Sequence, residues 1–506
     1  MARLPMPGDD RRFLGTWLAL SLVCLVVAAW RSAGYYHPDE QFQTLEFAAA
    51  KLGITPPEAL PWEFGRRMRP WLQPGLYVLA LGALRRLTAN PFAWARALRL
   101  VSGLYAWAAV AGLALCCFRW LPDRTSRRIA IRMVAVFCLL PFVLVRTSSE
   151  SLAASSFCLG LAVSELAGDG GRIPRRSAFS AGLLFGLAFE FRFAVGVMVA
   201  GWLAWAAFVR RRSAGGLAAT ASGIVAVLGA AALVDRWGYG DWCLPPWNYV
   251  VENLRAGQAA DRFGSLPVWG YAELVLRLPF APAAFLAAAA AAVSWLRHPR
   301  HALTWCAVPM VAVHSLIAHK ELRFLFPLLP VAAVGFGLAV APGTDRLEPL
   351  ARPCRGPEAL GLRRGLFAAN LAALALLCML PPAPQAGVQR FVFEELPREP
   401  ELLILGPDSP YGPRGLVGRF YGPPGTALAV LTAPELKQAL VRGDGPHNVV
   451  VPADARPELL VAGVRCRELY RSVPAWLDAV PGVRALDRWL VLRCQPPAGS
   501  GPGSAY

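Results

Sequence analysis

Long apolar runs separated by short basic segments make up the first 383 residues of the chain. The first run, residues 13–30, follows Arg11 and Arg12 and has about the minimum length that crosses a bilayer. The segment after it, 31–34, is a poor site for signal-peptide cleavage. We therefore predict a retained signal anchor with residues 1–12 in the cytoplasm.

Further apolar runs follow, several of them shorter than the roughly 20 residues of an upright membrane helix. They lie at about 71–88, 93–118, 130–146, 151–167, 178–191, 193–209, 216–235, 272–296, 302–318, 322–342 and 365–383. Placing the arginine clusters between them in the cytoplasm puts 147–150, Arg192, 235–269 and 319–323 on the other face. The stretch 86–124 does not fit this alternation, so the pattern predicts about 11–13 spans within residues 13–383.

The C-terminal region has a different pattern, with short β-like runs between Gly/Pro turns. The runs lie at 402–405, 449–451 and 489–492, and 434–441 has helical character. This predicts a small soluble α/β domain at 384–495, extracytoplasmic on the arginine scheme, and a disordered Gly/Ser/Pro-rich tail at 496–506. An extracytoplasmic location would allow Cys466 and Cys494 to form a disulfide.

Composition agrees with a membrane protein and excludes most soluble enzymes. Hydrophobic residues make up 56% and charged residues 17%, whereas a soluble domain carries about 25% charged residues. In a soluble protein the net charge of +18 would suggest nucleic acid. Here the arginines lie between apolar runs, so we interpret the charge as a topology signal and expect no nucleic-acid partner.

The most polar stretch of the N-terminal half is the predicted extracytoplasmic loop, residues 31–70. It contains His37-Pro38-Asp39-Glu40, followed at 41–52 by the apolar spacing of a short amphipathic surface helix. Two adjacent carboxylates at a helix start are explained by capping and by the helix dipole. The functional alternative is a general base beside a second carboxylate that orients a partner.

The same loop ends with Trp62-Glu63 and three arginines, Arg66, Arg67 and Arg69. A solvated basic face is the simplest interpretation. Arginines on the outer face run against the positive-inside bias, however, and planar guanidinium groups suit a lipid-linked phosphate.

Two later segments carry polar residues on the same predicted face. His319, Lys320, Glu321 and Arg323 open an apolar run, either as snorkelling helix-end residues or as a functional cluster. The loop 235–269 is rich in Trp and Tyr, which is typical of an interfacial aromatic belt but also suits sugar binding.

Together these segments resemble glycosyltransferase family 22, the lipid-phosphate-mannose-dependent mannosyltransferases of GPI-anchor and N-glycan assembly. The similar segments are the 37–40 motif, Pro61-Trp62-Glu63-Phe64, 146–151, and His319-Lys320-Glu321 before Arg323-Phe324. Asp235, Tyr239-Gly240 and Pro246-Trp247-Asn248 look like the family's long loop. The first two motifs in combination are most similar to the branch that adds the fourth mannose of the GPI anchor.

The resemblance implies a GT-C fold, which is an all-α multispan membrane protein with its active site on the lumenal or periplasmic face. It also implies transfer of mannose from a polyprenyl-phosphate donor, dolichyl phosphate in eukaryotes, to a glycolipid or glycan acceptor with inversion at the anomeric carbon. By the same resemblance Asp39 is the base that deprotonates the acceptor hydroxyl, with Glu40 beside it.

The resemblance also suggests binding residues and a location. The donor phosphate is expected at Lys320, Arg323 and Arg69, with His319 donating a hydrogen bond. Substrate contacts are expected from His37, Trp62, Glu63, Glu150, Asp235, Tyr239, Asn248 and Glu321. No cofactor is expected, and no nucleotide site either, because the leaving group is already a phosphate and the sequence has no P-loop. An essential metal ion is not expected, because the carboxylates form no chelating set beyond Asp39 and Glu40. The implied membrane is that of the endoplasmic reticulum in a eukaryote, or the inner membrane in a bacterium.

A transporter or flippase of lipid-linked sugars is the alternative from a different class. It would be expected to carry charges near span centres, or Gly/Pro-broken helices in matching halves. Glu190 and Arg192 are the only charged pair near membrane depth, and they lie at a span boundary.

Overall fold

The computed structural model describes residues 7–168, 172–255, 258–278, 280–379, 385–413, 416–442, 445–455, 464–474 and 488–496. Residues 1–6 of the predicted cytoplasmic segment and 497–506 of the predicted disordered tail lie outside this description. The chain forms two compact units. The first comprises Met1–Ser32, Arg66–Leu76 and Ala97–Leu380, and the second Ala33–Gly65, Tyr77–Arg96 and Pro381–Tyr506.

Apolar helices dominate the chain and confirm an all-α multispan membrane fold. Within the part of the chain that the structure describes, five helices are long and apolar enough to cross a membrane, namely Gly8–Arg31, Pro91–Trp120, Ala214–Tyr239, Leu322–Val340 and Leu360–Met379. Shorter apolar helices are Leu72–Leu84, Phe193–Val209, Ala281–Arg297 and Ala302–Leu316. The number of spans, about 11–13, stays a prediction.

The other helical segments of the first unit are short or carry charges. They are Arg124–Val136, Leu139–Leu144, Ser149–Ala167, Arg175–Phe191, Pro245–Val250, Val251–Arg255, Gln258–Phe263, Gly270–Leu276, Glu348–Ala351, Pro353–Arg355 and Pro357–Ala359. The apolar run predicted at 272–296 is divided between Gly270–Leu276 and Ala281–Arg297. Pro282 lies in the first turn of the second helix, where its missing amide hydrogen breaks no helical bond.

Glycine allows two helices of this unit to approach closely. A Cβ added to Gly186 of Arg175–Phe191 would lie 2.8 Å from the Cβ of Val227 in Ala214–Tyr239. Small residues at such contacts are a common means of packing membrane helices. The contact therefore depends on the absence of a side chain at Gly186.

The second unit contains a five-stranded sheet made of β1 (Glu401–Leu405), β2 (Ala427–Leu431), β3 (His447–Pro452), β4 (Arg465–Arg471) and β5 (Trp489–Gln495). The strand order is β2-β1-β3-β5-β4, with β1 parallel to β2 and β3, and β5 antiparallel to β3 and β4. The predicted strands are thus confirmed as β1, β3 and β5, whereas β2 and β4 were not predicted.

One helix packs on each face of this sheet. Leu436 of Ala433–Arg442 belongs to the apolar cluster of Leu403, and Val392 of Gln385–Glu394 belongs to that of Ile404. Because alternate residues of a strand point to opposite faces, β1 contributes to both clusters. The helix predicted at 434–441 is confirmed as Ala433–Arg442.

The second unit also includes most of the first loop. Its helical segments there are Pro38–Glu40, Gln41–Leu45, Glu46–Lys51, Pro57–Ala59 and Trp62–Gly65. Aromatic rings join the start of helix Pro91–Trp120 to the C-terminal region, with Phe92 and Tyr421 stacked at a centroid distance of 4.8 Å. The sequence pattern did not predict that these distant segments form one unit.

A disulfide between Cys466 and Cys494 connects β4 to β5, in addition to their backbone pairing. Free thiols and disulfides can be distinguished by counting maleimide-PEG adducts on the denatured full-length protein. We expect reduction to add two adducts, because two sulfurs are held in the disulfide.

In Cys466→Ser the thiol of Cys494 should already react without reduction, so that reduction adds none. Cys354→Ser is the matched control, since Cys354 lies outside the disulfide, and reduction should still add two adducts. An unchanged adduct number upon reduction of the unmodified protein would contradict the pairing.

Candidate active site

The helix that begins at Pro38 carries the predicted base. His37 caps this helix, because the Asp39 N–H donates to His37 Nδ1 at 3.2 Å. The Asp39 carboxylate lies 3.6 Å from the same ring nitrogen and is half-buried. Glu40 is buried, and its carboxylate accepts the Tyr36 N–H at 3.1 Å. Asp39 is therefore the more accessible of the two adjacent carboxylates.

The helix is not the half-exposed surface helix that the spacing predicts at 41–52. Each residue from Glu40 to Ala49 is buried, including the polar ones, because the helix lies inside the second unit. Burial raises the pKa of the Glu46 carboxyl, against the opposing effect of its hydrogen bonds. The polar side chains of this helix therefore make internal contacts.

Pro61-Trp62-Glu63-Phe64 packs against the same helix. Glu63 is buried and accepts a hydrogen bond from Gln43 Nε2 at 3.2 Å. The Phe64 ring meets Phe47 edge-on at a centroid distance of 5.3 Å. Trp62 is half-buried, so it is more accessible to a substrate than Glu63.

A buried ion network lies in the first unit. Glu150, in the first turn of helix Ser149–Ala167, is 2% exposed, and its Oε1 lies 3.4 Å from both Arg192 Nη2 and Arg323 Nη1. Arg192 follows directly after helix Arg175–Phe191. Charges this far from water are stable only when they are paired, so the network fixes three chain segments relative to one another.

Glu321 extends this network to His319. Its carboxylate pairs with Arg323 and is hydrogen-bonded to His319 Nε2 at 2.8 Å, while His319 Nδ1 lies 3.0 Å from the Gly264 carbonyl oxygen. The hydrogen bond to Glu321 raises the pKa of His319 above its ordinary value, against the opposing effect of burial. The imidazolium form, in which both ring nitrogens donate, therefore persists to higher pH.

Lys320 is buried and holds a neighbouring loop by its backbone. Its ammonium donates to the carbonyl oxygens of Leu266 at 2.9 Å and Ile317 at 2.6 Å. The Leu266 N–H also donates to the Ala318 carbonyl oxygen at 2.9 Å. These contacts give Lys320 a positioning role beside the ion network.

The end of the long helix that carries Asp235 and Tyr239 holds the arginine segment of the first loop. Asp235 Oδ1 accepts the Trp71 N–H at 2.7 Å, and the Tyr239 hydroxyl donates to the Arg69 carbonyl oxygen at 2.7 Å. A Cβ on Gly238 would overlap the Trp71 ring, so the close approach needs a glycine. Both predicted substrate residues therefore bind main-chain atoms of the segment.

The loop after this helix fixes the same segment further. Asn248 Nδ2 donates to the Arg67 carbonyl oxygen at 3.1 Å. The Arg67 guanidinium donates to Asp241 at 2.8 Å, which lowers the pKa of that exposed carboxyl. The Arg69 guanidinium lies over the Tyr249 ring, 5.4 Å from its centroid. Arg67 has a φ of 50°, which few non-glycine residues adopt.

The predicted residues thus fall into three groups. The first unit holds an ion cluster (Glu150, His319, Glu321 and Arg323, with Lys320 beside it) and a second group made of Arg69, Asp235, Tyr239 and Asn248. The second unit holds His37, Asp39, Glu40, Trp62 and Glu63. The prediction of binding residues missed Arg192, whose signal is a lone arginine between two apolar runs.

A solved structure with a similar fold covers nearly the whole chain. ArnT from Cupriavidus metallidurans in the apo state is 13% identical, covering 96% of this chain and 98% of that one, with a TM-score of 0.54. ArnT is a GT-C glycosyltransferase. The fold of this protein is therefore the GT-C fold.

Residues 16–379 match the Alg9-like mannosyltransferase family. The chain belongs to that family.

Among curated relatives, GPI alpha-1,2-mannosyltransferase 3 of Danio rerio is 30% identical over 188 residues, 36% of this chain and 32% of that protein. GPI mannosyltransferase 4 of Eremothecium gossypii is 29% identical over 338 residues, 62% of each chain. The chain thus spans less than two thirds of the length of each of these two relatives.

Replacement of Glu150 by Ala is expected to destabilise the protein strongly. It would leave the buried Arg192 and Arg323 without their shared carboxylate, and removing one partner of a buried pair costs about 3–5 kcal/mol. The measurement is the apparent melting temperature of the detergent-solubilised protein.

Asp9→Ala is the control, because Asp9 pairs with Arg124 at 3.4 Å in an exposed position. Exposed pairs contribute about 0–1 kcal/mol, so its melting temperature should stay near that of the unmodified protein. Equal melting temperatures for the two variants would show that the Glu150 network does not stabilise the fold.

Proposed function

We propose that this protein is a membrane mannosyltransferase that moves mannose from a polyprenyl-phosphate donor to a hydroxyl of a glycolipid or glycan acceptor, with inversion at the anomeric carbon. The observation that carries the proposal is the buried cluster around Glu150. The cluster contains four basic residues, Arg192, Arg323, Lys320 and His319, and two carboxylates, Glu150 and Glu321. Its net charge is +1 with neutral His319 and +2 when His319 is protonated.

An excess of positive charge suits a phosphate that leaves. When the bond from the anomeric carbon to the donor phosphate breaks, the phosphate keeps the electron pair and gains negative charge. Basic groups that are already in position stabilise this charge as it develops, without reorganisation during the reaction. A relative in fold, ArnT from Cupriavidus metallidurans, has been crystallised bound to undecaprenyl phosphate, which supports a lipid phosphate here.

Asp39 is the proposed general base. The acceptor hydroxyl passes its proton to the Asp39 carboxylate while its oxygen attacks the anomeric carbon, so a single displacement inverts the configuration. Asp39 is half-buried at a helix start, whereas the Glu40 carboxylate is buried on the Tyr36 N–H, so Glu40 is assigned the supporting role. A base poised next to the hydroxyl contributes roughly 10²–10⁴-fold in rate.

The reaction is proposed to take place on the extracytoplasmic face, the lumen of the endoplasmic reticulum or the periplasm. The disulfide between Cys466 and Cys494 supports this location for the second unit, because disulfides persist in oxidising compartments. Asp39 belongs to the same unit.

Asp39→Asn is expected to reduce transfer at least about 100-fold, because it removes the base while keeping the side-chain volume. The measurement is incorporation of radiolabelled mannose from polyprenyl-phosphate mannose into lipid extracts, using membranes that contain equal amounts of each variant. Glu58→Gln is the matched control, since Glu58 is an exposed carboxylate of the same loop, and it should keep full transfer.

Near-normal transfer by Asp39→Asn would rule out Asp39 as the base. Lack of transfer by the unmodified protein with every acceptor extract would favour a flippase or transporter of lipid-linked sugars. A flipping assay on reconstituted vesicles would then be the decisive measurement.

Donor binding is expected to weaken as the pH rises, because His319 loses its proton and with it one positive charge near the phosphate. Its raised pKa puts this loss above the ordinary histidine value of about 6.5. The pair of His319 with Glu321 also stabilises the fold in a pH-dependent way. This stabilisation is complete below the ordinary histidine pKa and is lost as the pH rises through the raised pKa of His319. The measurement is the donor KM from pH 5 to pH 9, determined at intervals of about 0.5 pH units.

Glu321→Gln removes the largest cause of the raised pKa of His319, so the inflection in donor KM should move to lower pH. His319→Phe should abolish this inflection. An inflection that remains in the His319→Phe variant would assign the titration to another group.

A further inference from the structure

We infer that Glu46 is a positioning residue, through which the C-terminal region holds the helix that carries Asp39. The inference rests on the proposed role of Asp39 and adds a function for the C-terminal region. All the contacts that support it lie within the second unit.

Glu46 is fully buried, and its carboxylate accepts four hydrogen bonds. Two come from the first loop, from Gln41 Nε2 at 2.8 Å and Thr55 Oγ1 at 2.5 Å. The other two come from the backbone N–H groups of Arg419 and Phe420, each at 3.2 Å. A carboxylate of the first loop is therefore bound directly by the main chain of the C-terminal region.

The C-terminal region packs so closely against the helix around this carboxylate that two of its glycines could not carry a side chain without a shift. A Cβ on Gly418 would lie 2.5 Å from both Gln41 Nε2 and Glu46 Oε1. A Cβ on Gly412 would lie 2.7 Å from the ring of Phe42. Two glycines of the C-terminal region thus allow its backbone to lie directly on the helix.

Stability alone does not explain a carboxyl group at this site. Burial raises the pKa of Glu46 against the opposing effect of its four hydrogen-bond donors, so burying this side chain has a cost. Buried polar and ionic groups can specify one geometry among several. Here the geometry specified is the position of the helix against residues 418–420.

The helix transmits this position to Asp39. Asp39 precedes Glu46 by seven residues, a distance of about 10 Å along a helix. The intervening turn is π-helical, Gln41–Leu45, and the Thr44 hydroxyl donates to the Glu40 carbonyl oxygen. π-Helical turns are frequent at functional sites. A shift at Glu46 would therefore displace the base from the acceptor hydroxyl.

The test is the kinetics of mannose transfer by full-length variants in membranes. Glu46→Gln should lower kcat by about tenfold to a hundredfold, because a misplacement near 1 Å has an effect of that size. The donor KM should remain within about twofold, because a displaced base impairs the chemical step without removing donor contacts. A general loss of folded protein would instead reduce the active amount and leave kcat per folded molecule unchanged.

Two further variants make the test independent of whether Glu46→Gln folds. Thr55→Val removes one hydrogen bond with nearly constant volume and should lower kcat less, about threefold to tenfold. Gly418→Ala should lower kcat like Glu46→Gln, because the methyl group pushes the two surfaces apart. Gly445→Ala is the matched control in the same region, since a Cβ there meets open space, and its kcat should stay unchanged.

The outcomes separate this inference from the proposed function. If Asp39→Asn is inactive while Thr55→Val and Gly418→Ala both keep full kcat, the role of Glu46 is wrong and the proposed function stands. Full transfer by Asp39→Asn would overturn both. A rise in donor KM with unchanged kcat in the same two variants would contradict positioning of the base.

Discussion

Burial of charge within a membrane-embedded helical protein imposes the constraint on which the first unit depends. Glu150 lies between Arg192 and Arg323 and shares its carboxylate between the two buried guanidinium groups, and Arg323 also pairs with Glu321. The pairing obliges three separate chain segments to meet at one point. The arginines that balance the buried carboxylate are also the residue type that the proposed phosphate site needs.

Several residues that were predicted to bind a substrate instead hold other parts of the chain in place. Asp235, Tyr239 and Asn248 use their polar atoms on the main chain of 66–71. Lys320 does the same for the loop at Leu266. Aromatic and polar residues can therefore resemble a sugar-binding site in the sequence while their side chains contact the main chain in the folded protein.

Local patterns were sufficient for part of the fold, and tertiary contacts decided the rest. Hydropathy located the long helices. Strand β1 was predicted because its four successive apolar residues, 402–405, come directly before a Gly-Pro turn. β4 escaped prediction because its charged sequence is only half-buried. The hydrogen bonds from Arg419 and Phe420 to Glu46 cross more than 370 residues, a separation at which periodicity carries no information. In the candidate site, sequence motifs predicted Glu150 and Arg323, whereas the pairing of Arg192 with Glu150 became evident only from the fold.

The main-chain support of the arginine segment has a consequence for variation among related proteins. Tyr239 and Asn248 bind carbonyl oxygens, which every amino acid possesses, so they hold the path of the chain regardless of the side chains at 66–69. Mutation of Arg67 or Arg69 would remove its side-chain contact with Asp241 or Tyr249, but the hydrogen bonds from Tyr239 and Asn248 to the main chain could still form. Gly238 and Trp71 are constrained by their close approach and position 67 by its positive φ, whereas the main-chain hydrogen bonds themselves place no demand on the side-chain charge at 66–69.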